Sequence, residues 1–181
     1  MKACKKGMLN KVSTTADNVH KASKRMGVGT DAYQELEYWA SQNGVAQEQL
    51  EKGVGRLNQR MGKAAAGNEK HSTALEKLGI NMDDVREGTL STEEAFAQSI
   101  QSLSEVENGQ EQAAMASELF GAKIGRELLP ALQDGSLSLE DAKTKAHELG
   151  IVMTKVLLFF CASLKIGSVK LEGIVKELLG K

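Results

Sequence analysis

Residues able to bind a metal ion or transfer protons are few in this chain and stand far apart. The histidines are His20, His71 and His147, and the cysteines are Cys4 and Cys161. No histidine lies within one helical turn of another histidine or of a cysteine, and no HExxH or CxxC spacing occurs. We therefore predict no metal site and no cofactor, and interpret each histidine as an exposed helix residue. Two cysteines so far apart form no disulfide framework and favour a reducing compartment.

Acidic pairs and glycine-rich segments give no better case for catalysis. The pairs Asp83-Asp84 and Glu93-Glu94 stand at predicted helix starts, where the helix dipole favours acidic side chains. The two Gly-Val-Gly segments, at 27–29 and 53–55, follow no predicted strand and precede no Gly-Lys-Ser/Thr, so they are not phosphate loops. No nucleophile elbow or Ser/His/Asp grouping is visible. We therefore predict that the chain is not an enzyme and has no catalytic residues.

The charge of the chain gives no reason to expect nucleic-acid binding. The 181 residues carry 23 Lys and Arg against 24 Asp and Glu. The charge is unevenly spread, because the formal net charge is +6 over residues 1–26, −10 over residues 27–150 and +3 over residues 151–181. The basic N-terminus has no apolar segment after it, so a secretory signal is not expected. It could steer an acidic partner, or it could be a solvated face.

The pattern of apolar residues predicts helices throughout. Apolar side chains recur at steps of three and four, no stretch alternates with period two for long, and the chain holds one proline. The predicted helices cover about 8–26, 31–43, 46–66, 70–78, 91 to 107–109, 110–120 and 139–149, and the pair Asp83-Asp84 indicates one more helix start. Pro130 is expected to start or kink a further short turn. The expected fold class is all-α, with multiple short helices and Gly-capped turns, as an open or elongated helical array rather than a compact bundle.

Helix ends carry recognisable signals. The expected N-terminal caps are Thr30 or Asp31, Ser91 with Glu94 in a capping box, and Ser138 with Asp141. Glycines are expected to end helices at positions 27, 44, 79, 121, 135 and 150. Leu-Gly-Ile occurs at both Gly79 and Gly150, which is typical of a left-handed glycine followed by an apolar residue that folds back over the helix.

The segment 46–66 has the most regular apolar stripe. Its members are Leu50, Val54, Leu57, Met61 and Ala64. We expect the first four of them to be buried against the face formed by Tyr33, Leu36 and Ala40. Gly53, Gly55 and Gly62 interrupt this helix, at a cost of up to about 1 kcal/mol each. Either the helix is locally weak or another backbone approaches it closely.

The C-terminal residues differ in composition from the rest. Residues 156–164 are apolar except for Ser163, which is too short a run to span a membrane confidently, since about 20 residues are needed. Residues 164–179 form an amphipathic stripe flanked by lysines. This stripe either covers the core or, through residues 151–179, contacts a membrane surface or a partner.

Five segments of the chain stand out by their order and spacing: GVGTDAYQELEYWASQNGV (27–45), LNQRM (57–61), ALEKLGI (74–80), MASELFG (115–121) and ELLPALQDG (127–135). As a set they resemble the amino-terminal region of tail tape measure proteins of long-tailed bacteriophages and prophages. The resemblance covers about residues 10–153. It implies a structural role in the virion tail, with bacterial cytoplasm as the place of assembly, and a function in setting tail length and scaffolding the tail tube. The implied partners are tail tube subunits and tail assembly chaperones.

Other interpretations stay open beside this resemblance. Family members are much longer than 181 residues, so the chain could be a truncated prophage remnant without function. It could also be a helical interaction module unrelated to tails, a self-associating chain, or a protein that contacts membrane through its C-terminal helix.

The residues predicted to contact a protein partner lie on the N-terminal helix. They are the apolar stripe Leu9, Val12, Val19 and Met26 and the cations Lys21, Lys24 and Arg25. The predicted organisation is a basic helix over 1–26, a tape-measure-like helical region over 27–153 and an apolar or amphipathic helix over 154–181.

Overall fold

The computed structural model describes residues 15–133 and 138–153, and these residues form helices joined by turns. Helix α1 covers 15–26. The helices that follow are α2 (Thr30–Gln42), α3 (Gln47–Ala65), α4 (Glu69–Glu76), α5 (Met82–Glu87), α6 (Thr92–Ser104), α7 (Gly109–Phe120), α8 (Ala122–Gln133) and α9 (Leu139–Glu148). No strand occurs within these two ranges. The predicted all-α fold class is confirmed.

Helix α3 is the central element of the fold. It packs against α2, α4, α5, α6, α7 and α8. Its stripe explains this position, because Leu50, Val54 and Leu57 are at most 1% exposed and Met61 and Ala64 continue the same buried face. The predicted burial of the stripe is confirmed, and the α2 face that was expected to meet it belongs to the same core.

All nine helices of the described ranges contribute to one hydrophobic core. Met26 of α1 and Ala142 of α9 are both fully buried in it. Trp39 packs edge to face on Phe96, which packs in the same way on Phe120, with ring centroids 5.8 and 5.7 Å apart. The sequence favoured an open or elongated array. The described helices differ from that expectation because the apolar stripes of the first and last of them are covered within the chain.

Most helix ends follow the predicted chemistry. The Ser91 hydroxyl accepts from the Glu94 amide at 3.2 Å, and the Ser91 amide donates to the Glu94 carboxylate at 3.0 Å, so the capping box is formed. Ser138 caps α9 by accepting from the Asp141 amide. After three of the terminating glycines the backbone folds back over the helix end. The backbone amide of the next residue then donates to a carbonyl of the helix: Val45 to Ala40 (2.8 Å), Ile80 to Leu75 (3.2 Å) and Ile151 to Ala146 (2.9 Å).

Helices α7 and α8 cross with their backbones close together. A Cβ atom at Gly125 would lie 2.6 Å from the amide nitrogen of Ser117 and 2.7 Å from the carbonyl carbon of Ala116. Only glycine fits at this crossing. Gly53 of α3 faces a gentler approach, since its Cβ would meet the Ile124 side chain at 3.2 Å. The group that approaches Gly53 is thus a side chain and not a backbone, whereas at Gly55 a backbone atom, the Arg25 carbonyl oxygen, would lie 3.7 Å from an added Cβ.

Three local predictions differ from the structure. Helix α8 was not predicted, and Pro130 lies inside it rather than starting a separate turn. The stripe of Ile124 and Leu128 buries one face of α8, while Pro130 lies on the exposed side near the end of the helix. Its missing N–H costs the helix one backbone hydrogen bond but leaves the buried face intact. Helix α2 begins after Gly29, with no side-chain cap from Thr30 or Asp31. Helix α6 ends at Ser104, earlier than expected. The glycine predicted to break the chain at 135 and the whole C-terminal segment 154–181 lie outside the described residues.

Candidate partner-binding surface

The apolar stripe of the N-terminal helix is buried where the structure describes it. Val19 is 5% exposed and Met26 is 0% exposed, both within the common core. The prediction that they contact a partner is therefore corrected, because in this fold they pack inside the chain. Leu9 and Val12 lie outside the described residues.

The basic side of α1 is exposed, and one of its cations is already paired. Lys21, Lys24 and Arg25 are all exposed. The Arg25 guanidinium donates to the Glu51 carboxylate at 2.6 and 3.2 Å, which ties α1 to α3. Glu51 is 16% exposed, so this pair is partly shielded from solvent. Lys21 and Lys24 form no ion pair within the described ranges, so α1 exposes two cations that no carboxylate of those ranges neutralises.

A polar network continues from Glu51 into the contact between α2 and α3. The Gln47 side chain donates to the Tyr33 hydroxyl at 2.6 Å. The Glu37 carboxylate, one helical turn further along α2, lies near the same hydroxyl. Burial raises the pKa of Tyr33 strongly, and the charge of Glu37 adds to this effect. Burial also raises the pKa of Glu37, although its interaction with the Tyr33 hydroxyl opposes this, and the charge of Glu51 raises it further. The network holds three helices together around a carboxylate that is costly to ionise.

Replacing Glu37 by glutamine is expected to stabilise the protein at neutral pH. The pKa of Glu37 is raised in the folded state, so its favourable contribution is present below the unfolded-state pKa and is lost as pH rises through the folded-state value. Glutamine cannot ionise, so Glu37→Gln removes the free-energy cost of a buried charge at neutral pH, and it keeps a neutral side-chain oxygen near the Tyr33 hydroxyl. Chemical unfolding at pH 7 and near pH 4 should show a gain at pH 7 that disappears in acid. Exposed Glu76→Gln is the matched control, and an equal gain in it would contradict the role of Glu37.

Two polar contacts hold α9 and the residues after it against α2. The Gln34 side chain donates to the Met153 carbonyl at 3.1 Å and accepts from the Met153 amide at 2.9 Å. The His147 Nε2 atom lies 2.7 Å from a carboxylate oxygen of Glu35. These contacts fix where the chain leaves the described domain. Beside them, Leu149 is 65% exposed, unusually so for a large apolar side chain.

The histidines do not meet in the structure. His20 is exposed on α1, His71 is half-buried on α4, and His147 is the exposed partner of Glu35. Within the residues described, no three His, Cys, Asp or Glu side chains are grouped closely enough to hold a metal ion. In the same residues, no helix combines the length and apolarity needed to cross a membrane.

A cleft of about 630 Å³ lies between α2, α6, α8 and α9. Its volume suits a small molecule, and Trp39, Ile100 and Leu139 give it apolar walls. Glu140 is the charged side chain among its described lining residues, and it stands in the first turn of α9, where the helix dipole favours a carboxylate. Among its described lining residues, the cleft therefore brings together no acid–base pair or ligand set.

Sequence reasoning located the exposed cations but missed the contacts between distant residues. Arg25 and Glu51 are separated by 26 positions, and Gln34 and Met153 by 119, so no local spacing links either pair. Comparison of the chain with protein-family models, curated proteins and solved structures finds no match in any of the three.

Proposed function

We propose that this chain is a structural protein of a phage or prophage tail, related to tape measure proteins, and that it acts by binding other proteins during tail assembly. The observation that carries the proposal is the ordered resemblance of five sequence segments to that family. One residue from each segment is buried in the common core: Trp39, Leu57, Leu75, Phe120 and Leu128. Segments that pack together in this way act as parts of one fold, which supports reading them as a set rather than as separate coincidences.

The scaffolding part of the tape measure function fits the described region better than the ruler part. A ruler needs helices laid end to end, each adding about 1.5 Å per residue. The longest described helix, α3, has 19 residues. The helices instead turn back on one another around a shared core. We therefore assign to this region the attachment of tail tube subunits or assembly chaperones, with the basic side of α1 as the contact.

The proposal predicts a salt-sensitive complex. The test is co-expression of the chain with a tail tube subunit and a tail assembly chaperone from the same phage or prophage, followed by affinity purification. Lys21 and Lys24 would meet an acidic partner surface, and their attraction is screened beyond about 10 Å at 0.1 M salt and beyond about 3 Å at 1 M. We expect recovery of one of these partners at low salt and a marked loss at high salt.

A pair of charge-reversal variants localises the contact. Lys21→Glu with Lys24→Glu should reduce recovery of the partner at low salt. The control is Lys77→Glu with Lys145→Glu, which reverses two exposed lysines near the ends of α4 and α9. Failure to recover either protein at any salt concentration contradicts the proposed function. Equal loss in both variants contradicts only the assignment to α1.

A further inference from the structure

A cluster of cations lies where α3, α4 and α7 meet. Arg56, Arg60 and Lys63 are spaced by four and three residues, which places them along one side of α3. Helix α4 packs on α3 and brings Lys70 and His71, and α7 packs on both of these helices. This cluster is separate from the α1 cations, and it also lies away from the cleft beside Trp39.

Arg60 carries an unsatisfied donor within this cluster. Its Nη1 atom is buried and has no hydrogen-bond partner among the described residues, where it is the one buried side-chain nitrogen or oxygen in that condition. A buried donor without an acceptor is costly and calls for an explanation. Neighbouring Arg56 is different, because its Nη1 donates to the Phe120 carbonyl at 2.9 Å and so closes the end of α7.

The electrostatic potential at the cluster is positive. Burial lowers the pKa of Arg60, and the charge of Arg56 lowers it further. The pKa of His71 is also lowered, by burial and then by the charges of Lys63, Arg60 and Lys70. Glu118 on α7 is the acidic group whose charge opposes these effects, and it forms no ion pair with Arg60 in the described part of the chain. The cations of this cluster therefore outnumber the anions that lie near them in the described residues.

We propose that Arg60, Lys63 and His71 form a binding site for an oxyanion, either a phosphate or a carboxylate. The guanidinium fork of Arg60 matches two oxygens of such a group, and its half-buried position shields the resulting hydrogen bonds from solvent. A bound anion would supply the acceptor that the Nη1 atom of Arg60 lacks. Arg56 keeps its hydrogen bond to the Phe120 carbonyl and contributes to the positive electrostatic potential at the site. The site does not depend on the proposed tail function.

Calorimetric titration at constant ionic strength tests the site with two probes, inorganic phosphate and a tetraglutamate peptide. We expect at least one probe to bind, and Arg60→Met to weaken that binding about tenfold or more, because it removes a charge-assisted hydrogen bond. Arg86→Met is the matched control, since Arg86 is an exposed arginine on α5 paired with Asp83. Binding of phosphate alone assigns the site to a small anion, and binding of the peptide alone assigns it to the carboxylate of a partner.

Two further measurements keep the test decisive. Exposed Lys63→Met should also weaken binding, and it serves if Arg60→Met does not fold. The pKa of His71, followed by NMR, should rise when the bound probe neutralises its cationic neighbours. The proposal is overturned if neither probe binds the wild-type chain, or if Arg86→Met weakens binding as much as Arg60→Met. Unlike the purification of tail partners, these outcomes are independent of any other protein.

Discussion

Replacing Leu57 by alanine is expected to destabilise the fold by about 2–5 kcal/mol. Leu57 is 0% exposed and lies on α3, the helix that packs against six others. Removing its branched end leaves a cavity that rigid neighbouring helices can only partly fill, so the loss combines burial and cavity terms. Urea unfolding followed by circular dichroism gives the free energy directly, provided that the slope with denaturant is unchanged.

The matched control for this change is Gln59→Ala on the same helix. Gln59 is exposed, so its truncation should alter the free energy of unfolding by no more than about 0.5 kcal/mol. A loss of that small size for Leu57→Ala would mean that α3 lies on a surface instead of inside a core. The two variants together separate packing from helix propensity.

Local sequence signals were sufficient for much of this architecture. The α3 stripe and the Ser91–Glu94 capping box were both predicted from spacings of three or four residues, and both are present. Such features arise within one or two helical turns, so the sequence carries them directly. The folded-back amide at Ile80 follows for the same reason.

The assembly of the helices could not be predicted in this way. An amphipathic stripe shows that a helix face needs cover, but it does not identify what covers it. The stripe of Val19 and Met26 was therefore assigned to a partner, whereas the structure buries it within the chain. The same difficulty affects the candidate site, because Arg60 stands beside the α3 stripe and nothing local reveals an unsatisfied donor there.

Helix α8 was missed for a different physical reason. Pro130 is a strong signal against a helix interior, and Gly125 adds a second one. Tertiary structure compensates for both, since the apolar stripe of α8 is buried despite the hydrogen bond lost at the proline, and the glycine lies where α8 crosses α7. Glycine is unfavourable in an isolated helix, but here it allows two backbones to come into contact.

Two glycine-to-alanine substitutions, one of them at this crossing, are expected to change the free energy of unfolding in opposite directions. Gly125→Ala places a Cβ atom 2.6 Å from a backbone nitrogen of α7, a contact that no side-chain rotation can relieve. Helices α7 and α8 must separate, and we expect a loss of about 1–3 kcal/mol or more, which outweighs the gain of about 1 kcal/mol in helix propensity. Gly62→Ala lies inside α3, and apart from its own stretch of helix no atom lies within 4 Å of its added Cβ, so only the propensity gain remains. It should stabilise the protein by about 0.5–1 kcal/mol.

Unfolding midpoints measured for the two variants under the same conditions should therefore move in opposite directions from the wild type. If Gly125→Ala were as stable as Gly62→Ala, the close crossing of α7 and α8 would be wrong.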